Sequence, residues 1–328
     1  MNHLLKTPNY LKRALCAPLF KSLPILNYYS SSTKQSEKKV TLTTINKKYR
    51  EGQPISMITV YDYSSGLAAN ESSVDSVLVG DSLGMTTLGF KNTNPVTLDM
   101  MIHHACAAFR GGSRPFFIVD MPFGSYNKSN SQAVESAVRL VSEGNAECVK
   151  VEGGSPIIAD RVKTIVQAAG ISVCAHIGLT PQSSASLGGF RVQGKTLKSA
   201  QSLIEQALLL QDAGSSMIVL EAMPEFLGKA ITKLLSIPTI GIGAGGFTSG
   251  QVLVLADILN LNMSDFQPKF VKRYANLGPV YLKAINEYAA DVHHKTYPEP
   301  EVHTYPTTKQ SEEEIKSLLV QKYSINLD

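Results

Sequence analysis

At 328 residues with 43% hydrophobic content, the chain can bury one large core, either as a single barrel or as two smaller domains. No run approaches the ~20 consecutive apolar residues of a membrane-spanning helix, and the formal charge of +4 arises in residues 1–36, where Lys6, Lys12, Arg13, Lys21 and Lys34 stand without an acid. With those five set aside, 26 basic residues face 27 acidic ones, so neither a nucleic-acid nor a membrane partner is expected.

Residues 1–36 mix spaced cations with Leu, Phe and Tyr and end in Ser30, Ser31, Ser32 and Thr33. That is the composition of a mitochondrial transit peptide, so a mitochondrial location is expected, with a disordered leader as the alternative. A secretory signal fits less well: Lys12 and Arg13 split the apolar stretch, and Pro18 and Pro24 interrupt the remainder. Cys16, Cys106, Cys148 and Cys174 show neither zinc-ligand nor redox spacing and read as reduced thiols.

From about residue 55, short β-branched runs alternate with segments of helical spacing. Eight runs stand out: 57–61, 77–80, 116–119, 148–151, 172–175, 217–220, 239–242 and 252–255. Helix-compatible stretches separate most of them, at 98–110, 131–143, 157–169, 200–213 and 225–235, and 270–292 would close the set. Eight parallel strands over this span predict a (β/α)8 TIM barrel, with residues 37–305 as one catalytic domain. A doubly wound open sheet is the alternative. The connection from Gly243 to Gln251 is too short for a full helix, which leaves the eighth strand resting on its apolar run alone. The tail, 306–328, holds a charged segment, 312–322, compatible with one amphipathic surface helix.

In such a barrel the carboxyl ends of the strands form the active-site face. The second run ends in Asp81, the third in Asp120, the fourth in Lys150 and Glu152, the fifth in His176 and the sixth in Glu221. Lys150 and Glu152 are two apart, so a strand directs both to one side. Asp81, Asp120 and Glu152 leave consecutive strands, and three carboxylates can converge on one hard cation. Magnesium suits that oxygen-only set, whereas zinc would recruit His or Cys. Any one of these acids could instead be a helix cap or a loop anion, and a single histidine is more often a hydrogen-bonded loop residue than a catalytic one. The glycines of IGIGAGG (240–246) could cradle a phosphate but serve equally as tight turns.

Taken together with YDYSSG (61–66), VGDSLGM (79–85), DMPFGSY (120–126), VKVEGG (149–154), HIGLTPQS (176–183), GGFRVQGK (188–195), LEAMP (220–224) and YPEPEVHTY (297–305), these residues resemble the ketopantoate hydroxymethyltransferase family of phosphoenolpyruvate/pyruvate-type barrels. The likeness runs from about residue 55 to 305. It implies that Asp81, Asp120 and Glu152 hold Mg2+, directly or through water. It also implies that Asp81, Ser82, Asp120 and Lys150 contact the oxoacid, with His176 counted beside them, and that Glu221 is the proton acceptor. Lys150 would add positive charge at the substrate's anionic end. The implied reaction removes the C3 proton of 3-methyl-2-oxobutanoate, and the resulting carbon nucleophile attacks the methylene carbon of 5,10-methylenetetrahydrofolate, giving 2-dehydropantoate for pantothenate synthesis. A homo-oligomer is implied as well. Met121, Met223 and Ala256 depart from the family's usual residues, outside the implied metal set. A carbon–carbon lyase on the same barrel, and a catalytically silent barrel, are the competing readings.

Overall fold

The computed structural model describes residues 38–328 apart from 187, 265–266 and 328; the leader read at 1–36 lies outside the described residues. The β-branched runs form eight strands: β1 (Ile55–Thr59), β2 (Ser76–Val79), β3 (Phe116–Asp120), β4 (Cys148–Glu152), β5 (Ser172–Gly178), β6 (Met217–Glu221), β7 (Thr239–Ile242) and β8 (Gly250–Leu253). They pair in chain order, all parallel, and β8 returns to β1 through Ile55↔Gly250 to Ile58↔Leu253. The barrel is therefore closed, and the open-sheet alternative falls.

Each strand divides its side chains by the two-residue repeat. Met57, Leu78, Ile118, Cys174, Val219 and Ile240 fill the interior with Phe116 and Cys148. Their neighbours Val77, Val119, Val149, Val151, Ala175 and Leu220 face outward and pack under the helices. Continued upward, the inward set of β3, β4, β5 and β6 reaches Asp120, Lys150 with Glu152, His176 and Glu221. Apolar side chains thus fill the lower layers, and ionisable ones the layer at the carboxyl ends.

The helices are α1 (Leu42–Arg50), α2 (Tyr63–Glu71), α3 (Leu83–Thr86), α4 (Leu98–Gly111), α5 (Asn130–Ser142), α6 (Pro156–Ala169), α7 (Leu197–Asp212), α8 (Glu225–Leu234), α9 (Leu255–Ile258), α10 (Leu277–His293) and α11 (Lys309–Tyr323). Asp62, Thr97, Ser129, Ser155 and Thr196 cap α2, α4, α5, α6 and α7, each accepting the N–H three residues on. Asp62, the acid that follows β1, is therefore committed to a cap.

Two connections depart from the regular alternation. Residues 243–249 pass from β7 to β8 with no helix among them. Seven extended residues reach about 23 Å, ample to descend beside a four-residue strand of about 13 Å. Gln251 secures the loop by donating to the Gly245 carbonyl and to Thr248. The expected helix at 270–292 begins only at Leu277. Pro279, which lacks an N–H, fits the first turn of a helix but not its interior, so α10 cannot extend upstream to 270. Val280, Leu282 and Ile285 on α10 are each at least half exposed, unlike the apolar faces of α4–α8.

Below the barrel, α1 closes the amino-terminal mouth. Ile45 is fully buried against the interior cluster, and Lys48 reaches Asp75 at 2.6 Å. Truncating Ile45 to Ala leaves a cavity under the barrel floor, and a loss of about 2–5 kcal/mol is expected. Urea unfolding of Ile45→Ala beside the unmutated protein measures it; a midpoint shift of near zero would show that α1 does not plug the barrel.

Candidate active site

The upper layer of the barrel gathers six of the residues singled out in the sequence into one contact network. Asp120 and Lys150 are register partners across β3 and β4, as are Glu152 and His176 across β4 and β5. Lys150 Nζ lies 3.1 Å from Asp120 Oδ1, 3.4 Å from Glu152 Oε1 and 3.2 Å from His176 Nδ1. On its other side His176 presents Nε2 to Glu221 Oε2 at 3.2 Å. Asp81 joins through its backbone, its N–H donating to Asp120 Oδ2 at 3.0 Å. Ser82 stands beside this group, its Oγ 2.7 Å from the Tyr61 hydroxyl.

Glycine at two positions makes the layer possible. A Cβ on Gly80 would crowd Ser82 Oγ at 3.1 Å and Asp120 Oδ2 at 3.4 Å. At Gly178, with φ +97°, it would strike the Glu221 carbonyl oxygen at 2.1 Å, so only glycine lets β5 pass this close to the end of β6.

Burial governs the electrostatics. Asp81, Asp120, Lys150, Glu152 and His176 are each no more than 5% exposed. Desolvation pushes the Asp81 carboxyl well above its ordinary range, and the charges of Glu152 and Asp120 push it further. Asp120 is also raised by burial, against the pull of Lys150. Burial would lower the ammonium of Lys150, but Asp120, Glu152 and Asp81 outweigh it and hold the proton firmly. For Glu152 the attraction of Lys150 and contact with His176 overcome desolvation, and its pKa falls to about 2. Burial and Lys150 both oppose a charge on His176, yet Glu152 and Glu221 carry its pKa to about 9.

These carboxylates suit a hard cation. Three of them share one pocket with a single ammonium, and Asp120 Oδ1 has no hydrogen-bond partner although Lys150 lies near it. Among the described residues no group of three or more acidic, His or Cys side chains is arranged to hold a metal ion by itself. Magnesium needs none, since one or two carboxylates with water and substrate oxygen complete its sphere. The donor set therefore fits Mg2+.

A family model described as ketopantoate hydroxymethyltransferase matches residues 39–300. The chain belongs to the ketopantoate hydroxymethyltransferase family. It is 50% identical over 264 residues to the 3-methyl-2-oxobutanoate hydroxymethyltransferase of Heliobacterium modesticaldum, covering 80% of this chain and 95% of that one. To 3-methyl-2-oxobutanoate hydroxymethyltransferase 1, mitochondrial, of Arabidopsis thaliana it is 43% identical over 301 residues, 90% and 86% of the two chains. As a ketopantoate hydroxymethyltransferase it is an enzyme, a transferase of one-carbon groups.

Among solved structures, 2,3-dimethylmalate lyase, a PEP mutase/isocitrate lyase superfamily member, superposes with a TM-score of 0.52 at 14% identity, over 84% of this chain and 98% of that one. Phosphonopyruvate hydrolase in complex with oxalate and Mg++ gives 0.51 at 10% identity, over 86% and 99%. These two establish the barrel type and nothing of the chemistry.

Two further residues of this layer carry no signal in the sequence of this hydroxymethyltransferase. Gln182 and Tyr126 lie within HIGLTPQS and DMPFGSY, where only Asp120 and His176 end an apolar run. Both are buried; Gln182 bonds to the carboxylates of Asp81 and Glu152, and Tyr126 to Gln182 and to the Glu152 backbone.

The charge balance is testable through stability. Lys150→Met keeps the stem and removes the ammonium, stranding the carboxylates at a cost of about 3–5 kcal/mol near neutral pH. The pKa values of Asp81 and Asp120 then stand further above those of the unfolded chain, and Glu152 loses the attraction that holds its own down, so the folded state binds more protons than the unfolded one. Stability of the variant should accordingly rise as pH falls from about 8 to about 5, more steeply than that of the unmutated enzyme. Denaturant titrations across that range check it, and parallel pH profiles for the two proteins would refute it.

Proposed function

We propose that this enzyme is a magnesium-dependent 3-methyl-2-oxobutanoate hydroxymethyltransferase that takes its one-carbon unit from 5,10-methylenetetrahydrofolate and works in the mitochondrion as a homo-oligomer. The observation that carries the reading is the buried imbalance of charge, with Asp81, Asp120 and Glu152 around Lys150 and with Glu221 facing them across His176. Membership of the family supports the substrate. The printed name of the Arabidopsis relative supports the location, and the apolar side chains exposed on α10 support self-association.

Asp81, Asp120 and Glu152 would hold the cation. Magnesium, when bound, supplies a Lewis acid for the oxoacid's oxygens. Lys150 pairs with the anionic end of the substrate, and Ser82 and His176 line the same subsite. Glu221 takes the C3 proton, lying on the side of the pocket away from the carboxylates of β2–β4. C3 then bonds to the methylene carbon of the folate as one of its two C–N bonds breaks, water displaces the second nitrogen and supplies the hydroxyl oxygen, and the nitrogens take up the proton held by Glu221 and one from water, releasing tetrahydrofolate and 2-dehydropantoate.

Formation of 2-dehydropantoate should require both the folate and magnesium; turnover without the folate would overturn the donor. Glu221→Gln keeps the shape and removes the base, so turnover should fall about 10²- to 10⁴-fold while the oxoacid still binds. Exchange of the C3 proton with deuterated water, followed by NMR without folate, isolates that step. A Gln variant exchanging at the normal rate would take the role of base from Glu221.

Location is tested separately. A fluorescent protein fused behind residues 1–40 should be imported into mitochondria, and a uniform cytosolic signal would remove the targeting role.

A further inference from the structure

The three carboxylates share one feature of their bonding. In each, one oxygen is taken by an N–H of the surrounding loops. Asp120 Oδ2 accepts from the Asp81 backbone at 3.0 Å. Asp81 Oδ2 accepts from Gln182 Nε2 at 2.8 Å. Glu152 Oε2 accepts from the Gln182 backbone N–H at 3.0 Å. Gln182 therefore serves two of the three, its side chain holding one and its main chain the other.

The orientation of its amide follows from the partners. Nε2 faces Asp81 Oδ2 and, at 2.9 Å, the Met121 carbonyl; the carbonyl can only accept, as can the carboxylate when it is ionised. Its two protons are thereby used, and Oε1 is left to accept the Tyr126 hydroxyl at 2.5 Å. Tyr126 is in turn buried, with its oxygen 3.3 Å from both the N and the O of Glu152. A rotated amide would set Oε1 against the Met121 carbonyl and the Asp81 carboxylate, while the Tyr126 hydroxyl holds the other end of the amide in place. Tyr126 and Met121 thus fix which end of Gln182 meets the carboxylate.

We propose that Gln182, oriented by Tyr126, is a positioning residue that turns Asp81 and Glu152 toward a bound divalent cation. The inference rests on the metal role proposed above for those carboxylates. The last torsion of Asp or Glu is broad and roughly two-fold, so an untied carboxylate samples many directions. Tying one oxygen selects the direction of the other. A neutral amide does this without adding positive charge, which a lysine or arginine at the same place would set against the cation. Gln182 touches neither substrate nor cation and acts through the carboxylates.

Mn2+ binding followed by EPR of the free ion, with Mg2+ as competitor, tests this on the full-length protein without relying on turnover. Gln182→Leu retains the bulk and the backbone N–H but loses all three contacts of the amide. It should weaken Mn2+ about tenfold or more, the effect expected when a partner of a metal ligand is removed. Tyr126→Phe should weaken it less, in the same direction. In activity assays Gln182→Leu should need correspondingly more magnesium, with kcat within a few-fold of normal once magnesium saturates. A purely structural role would instead lower the melting temperature and kcat at saturating magnesium and leave the affinity of the folded protein unchanged.

Mn2+ affinity in Gln182→Leu equal to that of the unmutated protein overturns the proposal. Should that variant fail to fold, Tyr126→Phe decides: weaker binding supports the assignment, and unchanged binding overturns it. If the unmutated protein binds no Mn2+, the metal site itself is refuted and this inference falls with it.

Discussion

Lys150 is the buried charge on which the carboxyl end of the barrel depends. Its ammonium, within 3.4 Å of Asp120 and Glu152, is what allows carboxylates to remain at a depth where water cannot screen them. Burying such a group is no route to stability, because desolvation commonly exceeds the attraction gained. The apolar layers beneath, from Phe116 and Cys148 to Val219 and Ile240, offset that cost and keep the strands rigid. A barrel built only to be stable would continue its aliphatic filling to the top. This one exchanges the last layer for ionisable groups, so that layer is maintained for chemistry.

The barrel was legible in the sequence because its parallel strands are buried on both faces and therefore appear as compact β-branched runs. The ionisable residues were legible for a related reason: each ends such a run, where an acid interrupts an apolar pattern. Lys150 and Glu152 were expected on one side from their spacing, and the 3.4 Å between Nζ and Oε1 has that origin. Gln182 and Tyr126 gave no comparable signal. Both are polar residues of loops, where no period operates, and their bonds reach to Asp81 and to each other across 101 and 56 positions. Their importance lies in direction and distance, which a linear pattern does not encode.

The eighth strand illustrates the opposite case. Its short approach through 243–249 argued against a regular unit, yet closure requires only that a chain descend the height of one strand, and β7 is four residues long. The start of α10 was misjudged because apolar spacing continues upstream of Leu277, while the backbone requirement of Pro279 limits how far the helix can begin before it. Covalent restriction of one residue outweighed a pattern spread over many.

His176 joins the two halves of the upper layer. Lys150, Glu152, Asp120 and Asp81 lie on one side of its ring and Glu221 on the other. Because the ammonium of Lys150 is a donor, a neutral imidazole must leave Nδ1 free to accept, which assigns its proton to Nε2. A protonated imidazole carries a proton on Nε2 as well. In both states Glu221 Oε2 therefore faces an N–H rather than a lone pair. Lys150 thus governs the proposed base without touching it, by fixing the tautomer of the ring between them. The charge that makes the carboxylate cluster tolerable also sets the tautomer of the ring beside it.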